Sequence, residues 1–265
     1  MHQITLVQGL LLAIMAIIVG VDFYLEVFFI FRPIIVGTLS GIILGDIKTG
    51  VLAAGLVELA FAGLTPAGGT QPPNPILAAI MTVVLSYTTG ADVKTTIGLS
   101  LPFSFLMQYI ILFYYSTFSL FVAKFDKYSS EADTKSYKKL SMITISIVAL
   151  SYGIIVFLCA YMAQEPMRIL VNSMPEWLAH GFEIAGGILP AIGFGMLLKI
   201  MFKIEYFPYL IIGFLVATFL NFSNLLPVAL IGFAIAGYKF FEEKQNEEKM
   251  KAFKMAEREE EEDGI

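Results

Sequence analysis

Long apolar segments, separated by short polar or glycine-rich breaks, run along almost the whole chain. They predict membrane helices, because a helix needs about 20 apolar residues to cross about 30 Å of hydrocarbon. The segments at 33–45 and 50–64 are short and rich in glycine, which indicates half-helices or re-entrant hairpins. The pattern predicts an all-α, polytopic integral membrane protein with short, broken or re-entrant helices, and it leaves the number of spans open. The apolar segments cover roughly residues 4–20, 33–45, 50–64, 75–91, 98–123, 141–163, 183–203, 206–221 and 225–240.

Two segments are strongly polar: residues 124–139, KFDKYSSEADTKSYKK, and the tail from Lys239 onward. Together they carry eleven of the seventeen Lys and Arg residues. Because Lys and Arg accumulate in cytoplasmic loops, we expect both segments in the cytoplasm. Four apolar stretches lie between them, an even number as this orientation requires, and the 164–182 connection then faces outward. The expected division is a membrane-embedded domain, 1–240, and a charged cytoplasmic tail, 241–265.

The composition supports a membrane protein and narrows its chemistry. The chain is 57% hydrophobic and 15% charged, with a mean hydropathy of +0.78. Its net charge of -5 reflects acidic residues concentrated in the tail, and it predicts no nucleic-acid partner. The single Cys159 excludes an internal disulfide and a Cys-based metal cluster. The first 20 residues lack a basic start and a small-residue cleavage site, so we expect a retained first span.

Charged residues in the first quarter of the chain are the most informative. Asp22 and Glu26 are four residues apart, and Arg32 follows within two helical turns, which predicts an ion-pair cluster at a helix end. Glu58 stands alone in VLAAGLVELAFAGL, where a carboxyl group costs about 3 kcal/mol in lipid. We interpret Glu58 as a substrate-facing acceptor. The alternative is a neutral glutamic acid bonded to neighbouring backbone.

Glycines recur every four or five residues in the same region. Such a stripe on helices lets another backbone approach closely, as in small-xxx-small packing. Tight packing explains the pattern, and a sliding or hinged contact is the alternative. The stripe comprises Gly37, Gly41, Gly45, Gly50 and Gly55.

The segment TPAGGTQPPNP, residues 65–75, interrupts the apolar pattern without any charge. Its prolines and glycines prevent regular structure, and irregular backbone at membrane depth needs a protein or water-filled environment. An external loop is the alternative to a re-entrant element that lines a cavity. Hydroxyl and amide groups suit a sugar, which offers hydroxyl donors and acceptors. The predicted sugar site comprises Glu58, Thr65, Thr70, Gln71 and Asn74.

The sequence contains no motif for chemistry by the chain itself. There is no nucleotide-binding loop, metal-ligand cluster or nucleophile with a base. The histidines are His2 at the terminus and His180 in the outward connection, and both are poorly placed for a cytosolic phosphoryl relay. We therefore expect no cofactor, no metal and no catalysis by this subunit alone.

Residues 31–64 resemble the membrane IIC subunits of the mannose-fructose-sorbose class of bacterial phosphotransferase systems. The matching motifs are the Arg-Pro pair at Arg32 and the GDxxTG pattern at 45–50. The segment TPAGGTQPPNP, the run HGFEIAGGILPAIGFGMLLKIMFK and the closing EEEEDGI are most similar to the N-acetylgalactosamine or galactosamine branch. Asn74 stands where mannose-type relatives carry an acid, so it bears on the choice of sugar.

The resemblance implies a permease subunit in the bacterial cell membrane that transports an amino sugar. It implies an oligomeric complex with a IID membrane subunit of homologous fold, surrounded by membrane lipid. Cytosolic IIA and IIB components, which carry the phosphorylated histidines in this family, would deliver phosphate to the sugar. Two other classes remain open: an ion-coupled secondary transporter that uses Glu58, and a membrane scaffold or receptor that transports nothing.

Overall fold

The computed structural model describes residues 2–64, 72–220 and 226–262, and the regular secondary structure of these residues is entirely helical, with no strand. The predicted all-α class is therefore confirmed. A π-helical turn, Leu158–Met162, continues α6, and a 3-10 turn, Ile204–Tyr206, precedes α9. The α-helices are α1 Leu6–Leu25, α2 Pro33–Leu44, α3 Ile47–Phe61, α4 Pro75–Thr89, α5 Val93–Ser130, α6 Thr134–Phe157, α7 Gln164–Asn172, α8 Glu176–Met201, α9 Phe207–Phe219 and α10 Leu226–Glu262.

The helices fall into two length classes. Among the described residues, four segments are long and apolar enough to cross a membrane: Leu6–Leu25, Val93–Ser130, Thr134–Met162 and Glu176–Met201. By contrast α2 has 12 residues and α3 and α4 have 15 each, which gives lengths of only about 18 and 22 Å. These helices are too short to cross about 30 Å of hydrocarbon. The short helices predicted at 33–45 and 50–64 are confirmed, and α4 and the 13-residue α9 are further short apolar helices among the described residues.

Turn residues in the sequence explain where the short helices begin and end. Pro33 and Pro75 occupy the first positions of α2 and α4, where their missing N–H groups cost nothing. Gly45 ends α2 with a φ of 83°, a left-handed conformation that glycine adopts without strain. The Asp46 side chain then caps α3 by accepting a hydrogen bond from the Thr49 N–H at 3.0 Å.

Part of the predicted glycine stripe brings α2 and α3 into close contact. A Cβ atom added at Gly41 or Gly50 would lie 2.6 Å from the Cα of the other glycine, and one at Gly37 would lie 2.8 Å from the Ala54 Cβ. Close packing is therefore confirmed at these three positions. Gly45 acts instead as the helix cap, and a Cβ at Gly55 would meet nothing within 4 Å.

One end of the bundle is held together by the first residues of the chain. The His2 N–H donates to the Tyr87 carbonyl at 3.3 Å, and Ile4 exchanges two hydrogen bonds with the Gln164 side chain at 2.8 and 3.2 Å. Gln8 donates to the Leu44 carbonyl at 3.3 Å. The start of α1, the ends of α2 and α4 and the start of α7 therefore meet here. We call this the amino-terminal end of the bundle.

From this end the short helices extend only halfway through the bundle. The Asn74 N–H, just before α4, donates to the Ser104 carbonyl at 3.1 Å, and Ser104 lies about 16 Å along α5 from Val93. α5 has 38 residues and extends for about 57 Å. The long α5 and α6 thus continue past the ends of α2, α3 and α4. Space for a cavity remains at that depth.

The core of the bundle surrounds α4. Ile76, Leu77, Ile80 and Met81 are fully buried, because α2, α3, α5 and α7 all pack against α4. α1 packs along α6 and its π-helical continuation through glycines: Cβ atoms at Gly20 and Gly9 would overlap the side chains of Tyr152 in α6 and Tyr161 in the π-helical turn. In lipid, such close backbone approach is a principal source of helix association.

The chain divides into two compact units, Met1–Ile200 and Met201–Ile265. In the second unit α10 runs without interruption from the apolar Leu226 into the charged tail, as far as Glu262. Residues 164–182, predicted as a connection, form α7 and the first part of α8 in the first unit.

Candidate functional site

The turn between α1 and α2 is built around the buried carboxylate of Asp22. Its two oxygens accept hydrogen bonds from the Phe28 and Ile30 N–H groups, each at 2.7 Å. The side chain is 4% exposed. Glu26 and Phe29 adopt left-handed backbone conformations in this turn, with φ of 50° and 58°. Both oxygens of the Asp22 carboxylate therefore accept hydrogen bonds from the backbone of this turn.

Arg32 does not join Asp22 or Glu26, so the predicted ion-pair cluster is wrong. The guanidinium instead forms an ion pair with Glu58, 26 residues further along the chain. The reason is that Arg32 immediately precedes α2 and extends toward α3, which packs against α2. Asp22 is stabilised without a cation because two N–H groups already donate hydrogen bonds to its oxygens.

Glu58 also caps α2 from the neighbouring helix. Its second oxygen accepts a hydrogen bond from the Ile34 N–H at 3.1 Å. Because Pro33 has no N–H, that of Ile34 is the first one that α2 presents, and no side chain within α2 caps it. A carboxylate at this position is also stabilised by the helix dipole. One interpretation of Glu58 expected a hydrogen bond to neighbouring backbone, and the Ile34 N–H provides it. Neither interpretation included the Arg32 cation as its partner.

Asn74 immediately precedes α4, as Arg32 precedes α2, and it is only 1% exposed. Its side-chain oxygen accepts from the Leu77 N–H at 3.0 Å, and its amide nitrogen donates to the Tyr152 hydroxyl at 2.6 Å. The Ser104 hydroxyl donates to the Asn74 carbonyl at 2.7 Å. Both ends of the amide are therefore engaged within the protein. A contact between Asn74 and a sugar stays a prediction.

A cavity of about 570 Å³ lies between the ends of the short helices and the long α5 and α6. Its polar side includes Arg32 and Glu58, whose side chains are 45% and 20% exposed. Pro72, Pro73 and Pro75 line it from the segment before α4. Thr65, Thr70 and Gln71, predicted as site residues, lie outside the described residues.

Aromatic side chains form most of the remaining wall. Phe23 and Phe31 meet edge to face at 5.2 Å between ring centroids, and Phe23 contacts the Tyr152 ring at 6.3 Å. An aromatic wall with few polar groups is typical of small-molecule sites. The aromatic lining comprises Phe23, Tyr24, Phe31 and Phe61 on one side and Tyr114, Tyr115 and Tyr152 on the other.

Neither histidine lines this cavity. The His2 ring stacks on Tyr87 at 4.9 Å, at the amino-terminal end of the bundle. His180 lies 3.2 Å from Glu183 on the exposed surface of α8. Within the described part of the chain, no group of three or more His, Cys, Asp or Glu residues is arranged to hold a metal ion.

Sequence reasoning missed the aromatic wall and the partner of Glu58. The Arg-Pro pair at the start of an apolar helix was a usable signal for Arg32, because it places a cation at a helix terminus inside the membrane domain. For Tyr152 the sequence contains no comparable signal, since its partner Asn74 is 78 residues away.

Comparison with known proteins relates the chain to sugar permeases. The family model for the sorbose-specific IIC component of phosphotransferase systems matches residues 6–238. The N-acetylgalactosamine permease IIC component 1 of Escherichia coli (strain K12) is 60% identical over 248 residues, which cover 94% of this chain and 93% of that protein.

Solved structures show the same architecture. One membrane protein has a TM-score of 0.76 and 28% identity, over 90% of this chain and 96% of that one. A second match is the mannose transporter ManYZ in complex with microcin E492, with a TM-score of 0.58, 27% identity and the same coverage.

Proposed function

The chain belongs to the family of sorbose-specific IIC components of phosphotransferase systems, and from this membership we propose that it transports N-acetylgalactosamine, with galactosamine as the alternative. As a IIC component it is a multi-pass membrane permease. The substrate named for the Escherichia coli relative supports the choice of sugar. An amino sugar is also consistent with the uncharged loop at 65–75.

The observation that carries the site proposal is the position and lining of the cavity. It combines a hydrogen-bonding pair, Arg32 and Glu58, with an aromatic wall, about halfway along the bundle. Its volume of about 570 Å³ lies within the range of about 300 to 1,000 Å³ typical of small-ligand pockets. Aromatic faces suit the apolar face of a sugar ring, and the pair suits its hydroxyl groups.

In the proposed complex Glu58 accepts hydrogen bonds from sugar hydroxyls and Arg32 donates to sugar oxygens. Thr65, Thr70 and Gln71 would add hydroxyl and amide groups from the loop. Asn74 would influence the sugar through Tyr152, which it holds in the cavity wall, or directly after a rearrangement of the loop.

The chain is proposed to work as the non-catalytic permease subunit of a larger complex. A IID subunit would be its partner in the membrane, and cytosolic IIA and IIB components would phosphorylate the sugar. The cavity lining contains no histidine among the described residues, which supports a phosphate donor on another subunit. The proposed orientation places the α5–α6 turn and the tail in the cytoplasm, because these segments carry most of the basic residues.

Transport is tested in vesicles that contain this chain, the IID subunit and the cytosolic IIA and IIB components. Uptake should depend on phosphoenolpyruvate and yield phosphorylated N-acetylgalactosamine. Accumulation of free sugar against a gradient, abolished by an uncoupler and indifferent to phosphoenolpyruvate, would establish an ion-coupled transporter instead. Absence of any uptake by an assembled complex would favour the scaffold.

The site is tested by Glu58→Gln, which replaces one carboxylate oxygen by an NH₂ group. This group would face a donor that now binds Glu58, either the Arg32 guanidinium or the Ile34 N–H. Calorimetry on the IIC–IID complex should show a loss of N-acetylgalactosamine affinity of about tenfold or more, because unpaired buried polar groups cost about 1 to 3 kcal/mol. Glu165→Gln on α7 is the matched control, since Glu165 pairs with Arg168 away from the cavity. Unchanged affinity in Glu58→Gln removes this residue from the site, and loss of complex formation indicates a structural role.

A further inference from the structure

We infer that Glu26 is a second sugar-binding carboxylate, which accepts hydrogen bonds from sugar hydroxyl groups at the mouth of the cavity, while Glu58 does so further inside. The inference rests on the proposed function, because it concerns the same cavity and adds a residue to its site. The position of Glu26, its backbone conformation and its free carboxylate each indicate this role.

Glu26 lies at the outer part of the cavity. α1 and α2 meet at the amino-terminal end of the bundle, where Gln8 donates to the Leu44 carbonyl. α1 has 20 residues and α2 has 12, so Glu26 lies about 10 Å further along the bundle than Arg32 at the start of α2. Glu26 is an exposed residue of the lining, whereas the Glu58 side chain is 20% exposed. The cavity therefore has one carboxylate at its mouth and another further inside.

The backbone of Glu26 adopts a conformation that suits glycine. Glu26 ends α1 with a φ of 50°, and its N–H donates to the Asp22 carbonyl. Gly45 and Gly90 end α2 and α4 in the same left-handed conformation, with φ of 83° and 74°, which glycine adopts without strain. For a glutamate this conformation is strained, and a negative charge is unfavourable at the carboxyl end of a helix. Both properties of Glu26 therefore disfavour it locally.

The Glu26 side chain has no structural partner that would offset this cost. Among the described residues, none forms an ion pair or hydrogen bond with its carboxylate. The turn is held instead by Asp22, which accepts the Phe28 and Ile30 N–H groups. A strained residue beside a ligand cavity points to function, since local rules of sequence and structure are broken mainly at functional sites. The Glu26 carboxylate is therefore available to a ligand.

Sugar hydroxyl groups are suitable partners for this carboxylate. Each hydroxyl supplies one donor, and an ionised carboxylate accepts several hydrogen bonds, which are stronger than those between neutral groups. Tyr24 and Tyr115 line the same cavity, and their ring faces suit the apolar face of a sugar. A sugar bound between Glu26 and Glu58 is thus held by an acceptor on each side.

Glu26→Gly should change stability and affinity in opposite directions. Glycine removes the strain and the unfavourable charge, so the thermal unfolding midpoint of the IIC–IID complex should rise or stay level. N-acetylgalactosamine affinity, measured by calorimetry, should fall about tenfold because hydrogen bonds to a charged acceptor are lost. Ala132→Gly is the matched control. Ala132 has a φ of 53° in the turn between α5 and α6 and does not line the cavity, so its replacement should leave the affinity unchanged.

Glu26→Gln tests the carboxylate with the size and the strained conformation of the side chain retained. N-acetylgalactosamine affinity should fall about threefold or more, because one charged acceptor becomes a neutral amide. Affinity within about twofold of the natural complex in both Glu26 variants, when Glu58→Gln weakens binding, would overturn the inference and leave the proposed function intact. A lower midpoint in Glu26→Gly with unchanged affinity in Glu26→Gln would assign Glu26 to the fold and overturn it as well. If the natural complex binds no N-acetylgalactosamine, the proposed function itself fails.

Discussion

The Asn74 amide donates a 2.6 Å hydrogen bond to the Tyr152 hydroxyl, and this contact joins the segment before α4 to α6 across 78 residues of sequence. Both side chains are buried. Tyr152 forms part of the cavity wall, and its ring packs against Gly20 of α1. One hydrogen bond thus links three elements at the depth of the candidate sugar site.

Tyr152→Phe tests this link. The substitution keeps the ring but leaves the Asn74 amide nitrogen buried without its partner, which costs about 1 to 3 kcal/mol. The thermal unfolding midpoint of the purified protein in detergent should fall. The control is Tyr109→Phe, at a residue that is 67% exposed, which should leave the midpoint unchanged. Equal shifts of the midpoint in both variants would show that the buried hydrogen bond does not stabilise the protein.

Gly50→Ala and Gly55→Ala form a matched pair on α3. A Cβ at Gly50 would lie 2.6 Å from the Gly41 Cα, whereas one at Gly55 meets nothing within 4 Å. Gly50→Ala should force α2 and α3 apart and destabilise the protein by about 1 to 3 kcal/mol or more. Gly55→Ala should be neutral, or stabilising by up to about 1 kcal/mol through helix propensity. Thermal unfolding and expression level measure both, and a tolerated Gly50→Ala would contradict the close contact.

Asp22→Asn should destabilise the turn between α1 and α2. The carboxylate accepts two N–H groups, and an amide replaces one acceptor by a donor, at a cost of about 1 to 3 kcal/mol. Asp92→Asn is the control because Asp92 accepts one N–H as the cap of α5, a position where asparagine serves equally well. Hydrogen exchange at Phe28 and Ile30 should accelerate in the first variant, and unchanged protection there would refute the role of Asp22.

The proposed orientation is tested by single cysteines in a chain with Cys159→Ala. Ser130→Cys, at the end of α5, should react with an impermeant reagent only after the cells are permeabilised. Ser173→Cys, which follows α7, should react in intact cells. The reverse labelling pattern would invert the orientation, and the basic residues of 124–139 would then need another explanation.

The order and approximate length of the apolar helices follow from the sequence alone, whereas α7 lies in a segment predicted as a connection. Apolar run lengths are set by the hydrocarbon they must cross, and helix ends are set locally by residues such as Pro33, Gly45 and Asp46. Glycine spacing likewise predicts that another backbone approaches this region closely, because glycines four or five residues apart recur near one helix face. The structure shows that the close contact is between α2 and α3. Glu58 is recognisable as a site candidate since its isolation in an apolar run is itself a local property.

Only the tertiary structure decides which distant groups become partners. Arg32 pairs with Glu58 rather than with the nearby Asp22, because the packing of α2 on α3 determines where its guanidinium reaches and backbone N–H groups already satisfy Asp22. The contact between Asn74 and Tyr152 and the aromatic wall depend on the depth at which α4 stops beside α5 and α6. Helix periodicity specifies the face of the helix on which a residue lies. Which other helix packs against that face is decided by the packing energy of the whole bundle.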